Sequence, residues 1–361
     1  MATLETEVAA DFPGFEATFT YRGTTALYLA LKALGSPGSR NEIIVPATVC
    51  PDVPLAVLLA GFVPRFCDVD LATFCMTPHT VAAVLNSHTR AVIVVHLFGK
   101  AVAMQEILAL ARSRGAAVIE DVAQAIGGRL RGRRLGSFGD MAILSFDDKK
   151  ILSGKGGLLL TSSADQITAA RQAHAQLDLP MDPARASSAN AAFAVSTRRL
   201  YVRMRADGLR QFDRSLATVA GTPEIRRMYL ARSAPGPSAE PVQSYRDLDR
   251  QRQGRRRAYQ KYAALLKPGV QYIRYEAEEL CWRLPILLES HAQQEALIAQ
   301  IHELGALVSD HYFPVSYLFG DGACPNAREI GLRAINLWVD DKLDEKLLPA
   351  VCDIVNRTLG Y

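Results

Sequence analysis

The sequence predicts an α/β protein: a mostly parallel sheet with helices on both faces, followed by a smaller C-terminal α/β domain. Three observations carry that expectation. Between residues 25 and 123, short apolar runs alternate with amphipathic stretches of helical period, the pattern of strands buried on both faces by crossover helices. The 361 residues, 49% hydrophobic and 22% charged, suffice for a large core and a second, smaller domain. SAPGPSAEP, residues 233–241, is the most linker-like stretch and divides a large domain, 1–235, from a small one, 236–361.

The elements follow in order. TALYLALKALG, residues 25–35, places apolar side chains at helical spacing and ends in Gly35, suited to a helix C-terminus. EIIVPA is a strand stopped by Pro46, PLAVLLAGF a helix and VPRFCDVD a strand. TPHTVAAVLN is a helix with Thr77 as its cap and Pro78 at its first position. AVIVVHLFG, AMQEILALARSRG and AAVIEDVA continue as strand, helix and strand, and MAILSF is a strand ahead of the apolar run LLLTSS. In the second domain RDLDRQRQGRRRAYQKYAALL is a helix, ELCWRLPILL a strand and AQQEALIAQIHELG a helix, with a last helix near DEKLLPAVCDIVNRTL.

Charge and composition exclude several function classes. A net charge of +4 gives no strong electrostatic case for nucleic acid. The densest basic cluster, RQRQGRRRAYQK at 250–261, reads as a solvated helix face, open also to an anionic ligand or a partner subunit. The six cysteines show no CxxC pair or secreted-scaffold spacing, and MATLETEVAADFPG lacks a signal pattern, so reduced thiols and a cytoplasmic location are expected. No apolar run approaches the ~20 residues of a membrane-spanning helix. The seven histidines show no metal-ligand spacing. Neither membrane nor metal is expected.

In such a sheet, ligands bind beyond the carboxyl ends of the strands. Asp121 closes AVIED, Ser145 closes MAILSF and His96 closes AVIVVH. Each alone reads first as a cap or turn residue. Together with a lysine at 149 or 150, in SFDDKKILSGKGG, they form a candidate constellation.

HLFG, EDVAQAIGG, GSFGD and SFDDKK, in that order and spacing, resemble the DegT/DnrJ/StrS family of pyridoxal-phosphate (PLP) sugar aminotransferases, of aspartate aminotransferase fold type I. The family pattern runs VH-x-YG, ED-x-AQA-x-G, GS-x-GD and SF-x-x-x-K. The resemblance spans residues 22–162, fades from 163 to about 245, and returns weakly at DHYFPV and INLWVDDKLDEKLL.

The resemblance implies a PLP fold type I homodimer with its active sites at the subunit interface. Counting SF-x-x-x-K from Ser145 makes Lys150, not Lys149, the Schiff-base lysine. Asp121 is the implied partner of the pyridine nitrogen, and Gln124 the neighbour of the ring and its O3′. Gly23, Thr24, Thr25 and Ser145 are implied around the phosphate, where helix N-terminal amides and hydroxyls suit a dianion. His311 and Tyr312 resemble the family's HY-x-P segment and are implied at the substrate site. A strand-end pair packed at the domain junction is an equal reading of them. The implied reaction is ping-pong amino transfer from glutamate or glutamine to a nucleotide-linked keto sugar or related cyclic ketone. PLP-dependent elimination, or a non-catalytic PLP-binding regulator, remains the alternative.

Four departures accompany the resemblance. Where the family stacks an aromatic residue on the ring, VPATVCPDV offers Cys50 or Val49, and Cys50 reads equally as a cofactor contact or a small buried hydrophobe. KILSGKGG is one residue shorter than the common pattern and carries Lys155 at an acidic position. The asparagine-aromatic-arginine-methionine block through which a partner subunit reaches the cofactor is missing. The N-terminal segment is short.

Overall fold

The protein is described here by a computed structural model covering residues 3–147, 150–178, 183–210, 213–219, 222–232, 239–310, 313–320, 324–340 and 342–361. The apolar runs become strands β1 (Glu16–Thr20), β2 (Glu42–Pro46), β3 (Val63–Cys67), β4 (Thr89–Val95) and β5 (Ala117–Asp121). A hairpin, β6 (Arg129–Leu130) and β7 (Arg133–Arg134), precedes β8 (Met141–Phe146) and β9 (Gly156–Thr161).

Seven of these strands form one sheet in the order β1-β9-β8-β5-β4-β2-β3. The block from β8 to β3 is parallel, whereas β9 runs antiparallel between β8 and β1. Helix Gly23–Ala33 packs on β8 and β9 and against helices Asp52–Leu59 and Ala164–Ala175. Helix Met104–Ser113 packs on β5 and against helix Pro78–Val84, so both faces of the sheet are covered. Ile43, Ile44, Val92, Ile93, Val118 and Ile119 are therefore wholly buried, as their unbroken apolar runs require.

A second sheet joins β10 (Gln271–Tyr272), β11 (Arg283–Leu287), β12 (Val308–Ser309) and β13 (Ala334–Trp338) in the order β10-β11-β13-β12, antiparallel throughout. Helix Leu348–Thr358 packs against helices His291–Glu303 and Leu248–Leu265 beside it. Residues 233–238, the heart of the linker-like stretch, lie outside the described residues, and helix Ala239–Arg246 begins directly after them. That helix is tied to the N-terminal helix Leu4–Ala10 by an Arg246–Glu7 ion pair and, just beyond, by Tyr245 Oη donating to Asp11 at 2.6 Å.

Three segments end differently from expectation, each for a visible reason. AVIVVHLFG leaves the sheet after Val95, because residues 97–99 turn into a short 3-10 helix with Phe98 at φ +58°. There Gly99 presses on the second sheet's approach, and a Cβ on it would lie 1.8 Å from the Leu280 carbonyl oxygen. ELCWRLPILL pairs only from Arg283, because its first residues bond instead to that turn: Lys100 meets Glu279 at 2.9 Å and Trp282 N donates to Phe98 O at 3.0 Å. VPRFCDVD stops at Cys67, after which the Asp68 carboxylate accepts the Asn326 and Ala327 amides and caps helix Pro325–Arg333.

Candidate active site

The carboxyl ends of β5 and β8 lie side by side, with Asp121 in register with Ile143. Successive strand residues face opposite ways, so Glu120 and Asp121 serve different surroundings. Glu120 is wholly buried and accepts four hydrogen bonds: from the amides of Gly136 (2.8 Å), Phe138 (2.6 Å) and Gly139 (2.7 Å), and from His96 Nε2 (3.1 Å). His96 Nδ1 accepts from Val102 N at 3.2 Å, which leaves the ring proton on Nε2. This cluster ties GSFGD to EDVAQA, and it takes His96 away from the strand-end pocket.

Asp121 faces away from that cluster, near Lys150, Cys50 and Asp52. It is 7% exposed, its Oδ1 accepts from Ala123 N at 2.9 Å, and the carboxylate makes no other hydrogen bond among the described residues. Burial pushes its pKa up, against the Ala123 amide and the charge of Lys150. Gln124, also buried, is oriented by Phe98 N, which donates to its Oε1 at 2.7 Å.

Lys150 lies beyond β8, its amide donating to Asp147 O at 2.8 Å. Its amino group makes no hydrogen bond or ion pair among the described residues, yet its charge is felt by both Asp121 and Cys50. Lys149 lies outside the described residues. Of the two candidates for the ring face, Val49 is packed in the core and Cys50 opens to the pocket, partly exposed. Desolvation, then the Asp52 carboxylate, push the Cys50 thiol up to about 12, so it stays a neutral, polarisable surface.

Gly23 starts the helix that approaches from β1, and no side chain caps that helix. A Cβ on Gly23 would sit 2.6 Å from Ser145 Cβ, and one on Gly157 would sit 2.6 Å from Gly23 N. Only glycines let β8, β9 and this helix end meet so closely. The Ser145 hydroxyl makes no hydrogen bond among the described residues. The two threonine hydroxyls, expected to be available at the helix end, are both engaged: Thr24 Oγ1 donates to Asp52 Oδ2 at 3.1 Å, and Thr25 Oγ1 to the Tyr229 carbonyl at 2.8 Å.

Sequence reasoning missed three neighbours here. Asp52 opens helix Asp52–Leu59, and an isolated charge inside the apolar block VCPDVPLAVLL was its signal. Tyr229 ends helix Pro223–Tyr229, and Arg22 lies over its ring with Cζ 5.6 Å from the centroid. Burial, then the neighbouring Asp52 carboxylate, raise the Tyr229 phenol far above its ordinary value. Nothing in the region 163–245 pointed to that tyrosine.

His311 and Tyr312 lie outside the described residues. Their flanks do not. Asp310, 6% exposed, accepts from Arg198 through both oxygens at 2.8 Å and pairs with Arg205 at 2.6 Å, while Tyr201 Oη donates to the Asp310 carbonyl at 2.9 Å. On the other side Pro314 bridges to Thr48, two residues before Cys50. The small sheet is thereby fastened to the long helix Pro183–Ala206 and to the loop after β2.

Among the described residues there is no group of His, Cys, Asp and Glu able to hold a metal ion, and no helix long and apolar enough to cross a membrane. The six cysteines are free.

Comparison with known proteins gives a consistent outcome. The model of the DegT/DnrJ/EryC1/StrS aminotransferase family matches residues 1–190. The UDP-N-acetyl-3-dehydro-alpha-D-glucosamine 3-aminotransferase of Acidithiobacillus ferrooxidans is 42% identical over 164 residues, 45% of this chain and 44% of that one. The L-glutamine:2-deoxy-scyllo-inosose aminotransferase of Streptomyces fradiae is 40% identical over 144 residues, 40% of this chain and 34% of that one. The GDP-perosamine synthase of Caulobacter vibrioides is 38% identical over 178 residues, 49% of this chain and 47% of that one. The aligned part thus spans less than half the length of each of these relatives.

Solved structures match the fold over nearly the whole chain. A Psychrobacter cryohalolentis aminotransferase superposes with TM-score 0.73 at 21% identity, covering 98% of this chain and 89% of that one. The Helicobacter pylori aminotransferase involved in pseudoaminic acid biosynthesis superposes with TM-score 0.77 at 16% identity, covering 98% and 90%.

Proposed function

Because the chain belongs to the DegT/DnrJ/EryC1/StrS aminotransferase family, we propose that it transfers an amino group from glutamate or glutamine to a keto sugar or related cyclic ketone, using pyridoxal phosphate held at Lys150. The single observation that carries this reading is a pair beyond the strand ends: among the described residues, an amine without a partner on Lys150 and a buried carboxylate with one hydrogen bond on Asp121, both close to Cys50.

The residues present fit the cofactor's ring. A carboxylate held in low dielectric with an open oxygen suits a protonated pyridine nitrogen, and an amine free of ion pairs suits an aldehyde carbon. At the phosphate end the helix amides of residues 23–25 and the Ser145 hydroxyl are available, while the threonine hydroxyls are engaged.

Bound there, pyridoxal phosphate supplies the electron sink for the pair left when a proton leaves the donor's carbon. Lys150 Nζ would hold the cofactor through its aldehyde carbon and, when free, would carry that proton. Asp121 would hold a proton on the ring nitrogen. Gln124, fixed by Phe98 N, orients the ring edge. Cys50 covers one ring face without the aromatic increment of roughly 1 kcal/mol.

Nucleotide-linked sugars and inososes are the acceptor classes named for the relatives, and they support a polyhydroxylated cyclic ketone here. A homodimer in the cytoplasm, with domains spanning 1–235 and 236–361 built round the two sheets, completes the reading. Helix Pro183–Ala206 exposes Val195 and Val202, 48% and 46% accessible, a face suited to a second copy.

The test is a half-reaction. Purified protein loaded with pyridoxal phosphate is mixed with glutamate or glutamine, and the absorbance of the lysine-bound form is followed. Its loss, with conversion to pyridoxamine phosphate, is the expected result. A loaded protein inert to a broad panel of amino donors would overturn the reading.

A further inference from the structure

The phosphate end of the pocket contains a carboxylate that the proposed function does not use. Asp52 lies in the first turn of its helix, accepts the Thr24 hydroxyl at 3.1 Å and adjoins the Tyr229 phenol. Thr24 is 8% exposed and opens the uncapped helix whose amides, with the Ser145 hydroxyl, face the phosphate in the reading above. A hydroxyl has one proton to donate, and here it goes to a carboxylate of this chain.

We propose that Asp52 is a built-in competitor for the cofactor's phosphate, so that phosphate-bearing ligands enter only by displacing it from Thr24 and gain little over their dephosphorylated forms. The inference rests on the proposed function for the position of the phosphate. Its physical basis is like charge. A phosphate dianion brought beside Asp52 repels it; Asp52 itself is partly exposed, while its neighbours Thr24 and Tyr229 are shut away from water. Among the described residues, Arg22 is a positive charge at this end, and it already lies over the Tyr229 ring. Tyr229 closes the arrangement from the region 163–245, because its carbonyl is held by Thr25. The consequence for function is a cofactor held through its ring and Lys150 more than through its phosphate, and released readily whenever Lys150 is displaced.

The experiment compares pyridoxal phosphate with pyridoxal on the full chain, reading the absorbance of the lysine-bound form in wild type, Asp52→Asn and Asp52→Ala. Wild type is expected to favour pyridoxal phosphate by less than about tenfold, about 1.4 kcal/mol. Asp52→Ala should tighten pyridoxal phosphate by about tenfold or more and leave pyridoxal within about twofold, with Asp52→Asn in between. Inorganic phosphate, measured by equilibrium dialysis, should bind the variants more tightly than wild type. Weaker or unchanged pyridoxal phosphate binding in both variants would show that Asp52 positions Thr24 for the phosphate, and would overturn the proposal. A parallel change for pyridoxal would also overturn it, by placing the effect on the ring. Should the variants fail to fold, the wild-type ratio decides: a preference for the phosphate form above about a hundredfold refutes the idea. If neither aldehyde reaches Lys150 in wild type, the proposed function fails, while the phosphate dialysis still judges Asp52 independently.

Discussion

Replacing Asp310 by Asn tests how the small sheet is fastened to the rest of the chain. The carboxylate is 6% exposed and meets Arg198 through both oxygens at 2.8 Å and Arg205 at 2.6 Å. Arg205 is itself 9% exposed, so the amide leaves a buried guanidinium without its counter-charge, with the Asn carbonyl oxygen and, among the described residues, Tyr201 Oη and Gln294 Oε1 as acceptors. Breaking a buried pair from one side costs about 3–5 kcal/mol, and the surviving acceptors place the expected loss near the lower end, about 3 kcal/mol. Arg198 is 48% exposed, so Arg198→Ala should cost only about 1 kcal/mol.

The sign of the pH dependence follows from the same contacts. Burial alone raises the Asp310 carboxyl, but the hydrogen bonds and charges of Arg198 and Arg205 outweigh it and hold the folded value below the usual carboxylate range. A depressed folded value means stability that is fully present above the unfolded value, ~3.9, and lost as pH falls through the folded one. Urea titrations followed by circular dichroism should therefore separate wild type from Asp310→Asn at pH about 7, with the gap closing below pH about 4. A gap under about 0.5 kcal/mol at neutral pH, or one that widens in acid, would refute the reasoning.

Three further outcomes are expected. Lys150→Ala should abolish borohydride trapping of the cofactor on the protein while Lys149→Ala retains it, and cofactor trapped on residue 149 would overturn the register. Asp121→Asn should slow the half-reaction by on the order of 3 kcal/mol of barrier. Because burial raises the folded value of Asp121, its ionised form works against folding as pH rises above the ordinary carboxylate range, so the same variant should melt higher than wild type at neutral pH without cofactor and lose that advantage in acid. Exchanging residues 163–245 for the segment of a sugar aminotransferase should alter acceptor choice, read by competition between keto sugars, and spare the rate with glutamate or glutamine.

The large sheet was legible because its strands are covered on both sides and so must be continuously apolar. EIIVP, AVIVV and MAILSF could not be soluble any other way. β1 was not legible: EATFT has the composition of an exposed edge strand, and only pairing with β9 from Glu16 to Thr20 makes it one. β12, two residues long, and the helix Pro183–Ala206, rich in Ala and Ser, carry no periodic signal strong enough to stand above their neighbours. Of the expected site residues, Asp121 and Ser145 could be positioned from the sequence because strand ends fix them, whereas Tyr229 arrives from a distant helix through a backbone carbonyl bond to Thr25 that no spacing rule announces.

The two sides of the pocket are built on different physics, and this bears on which part of the reaction can change. The side that would hold the cofactor, on the reading proposed above, depends on backbone register: adjacent strands β5 and β8 place Asp121 and Ser145, and the close approaches of Gly23 and Gly157 leave almost no slack. The side that would take the acceptor, on the same reading, is joined by contacts between separate elements: the Asp310 carboxylate to Arg198 and Arg205, the Asp68 carboxylate to the helix beginning at Pro325, and the backbone bridge from Thr48 to Pro314. Register tolerates little, since a shift of one residue turns Asp121 away and brings Glu120 to face the pocket. Fastenings tolerate more, because an exposed arginine such as Arg198 can be lost for about 1 kcal/mol while Arg205 still holds Asp310. A chain built this way can drift in the ketone it accepts while its amino-donor chemistry stays fixed, and that is the division the exchange of residues 163–245 is designed to expose.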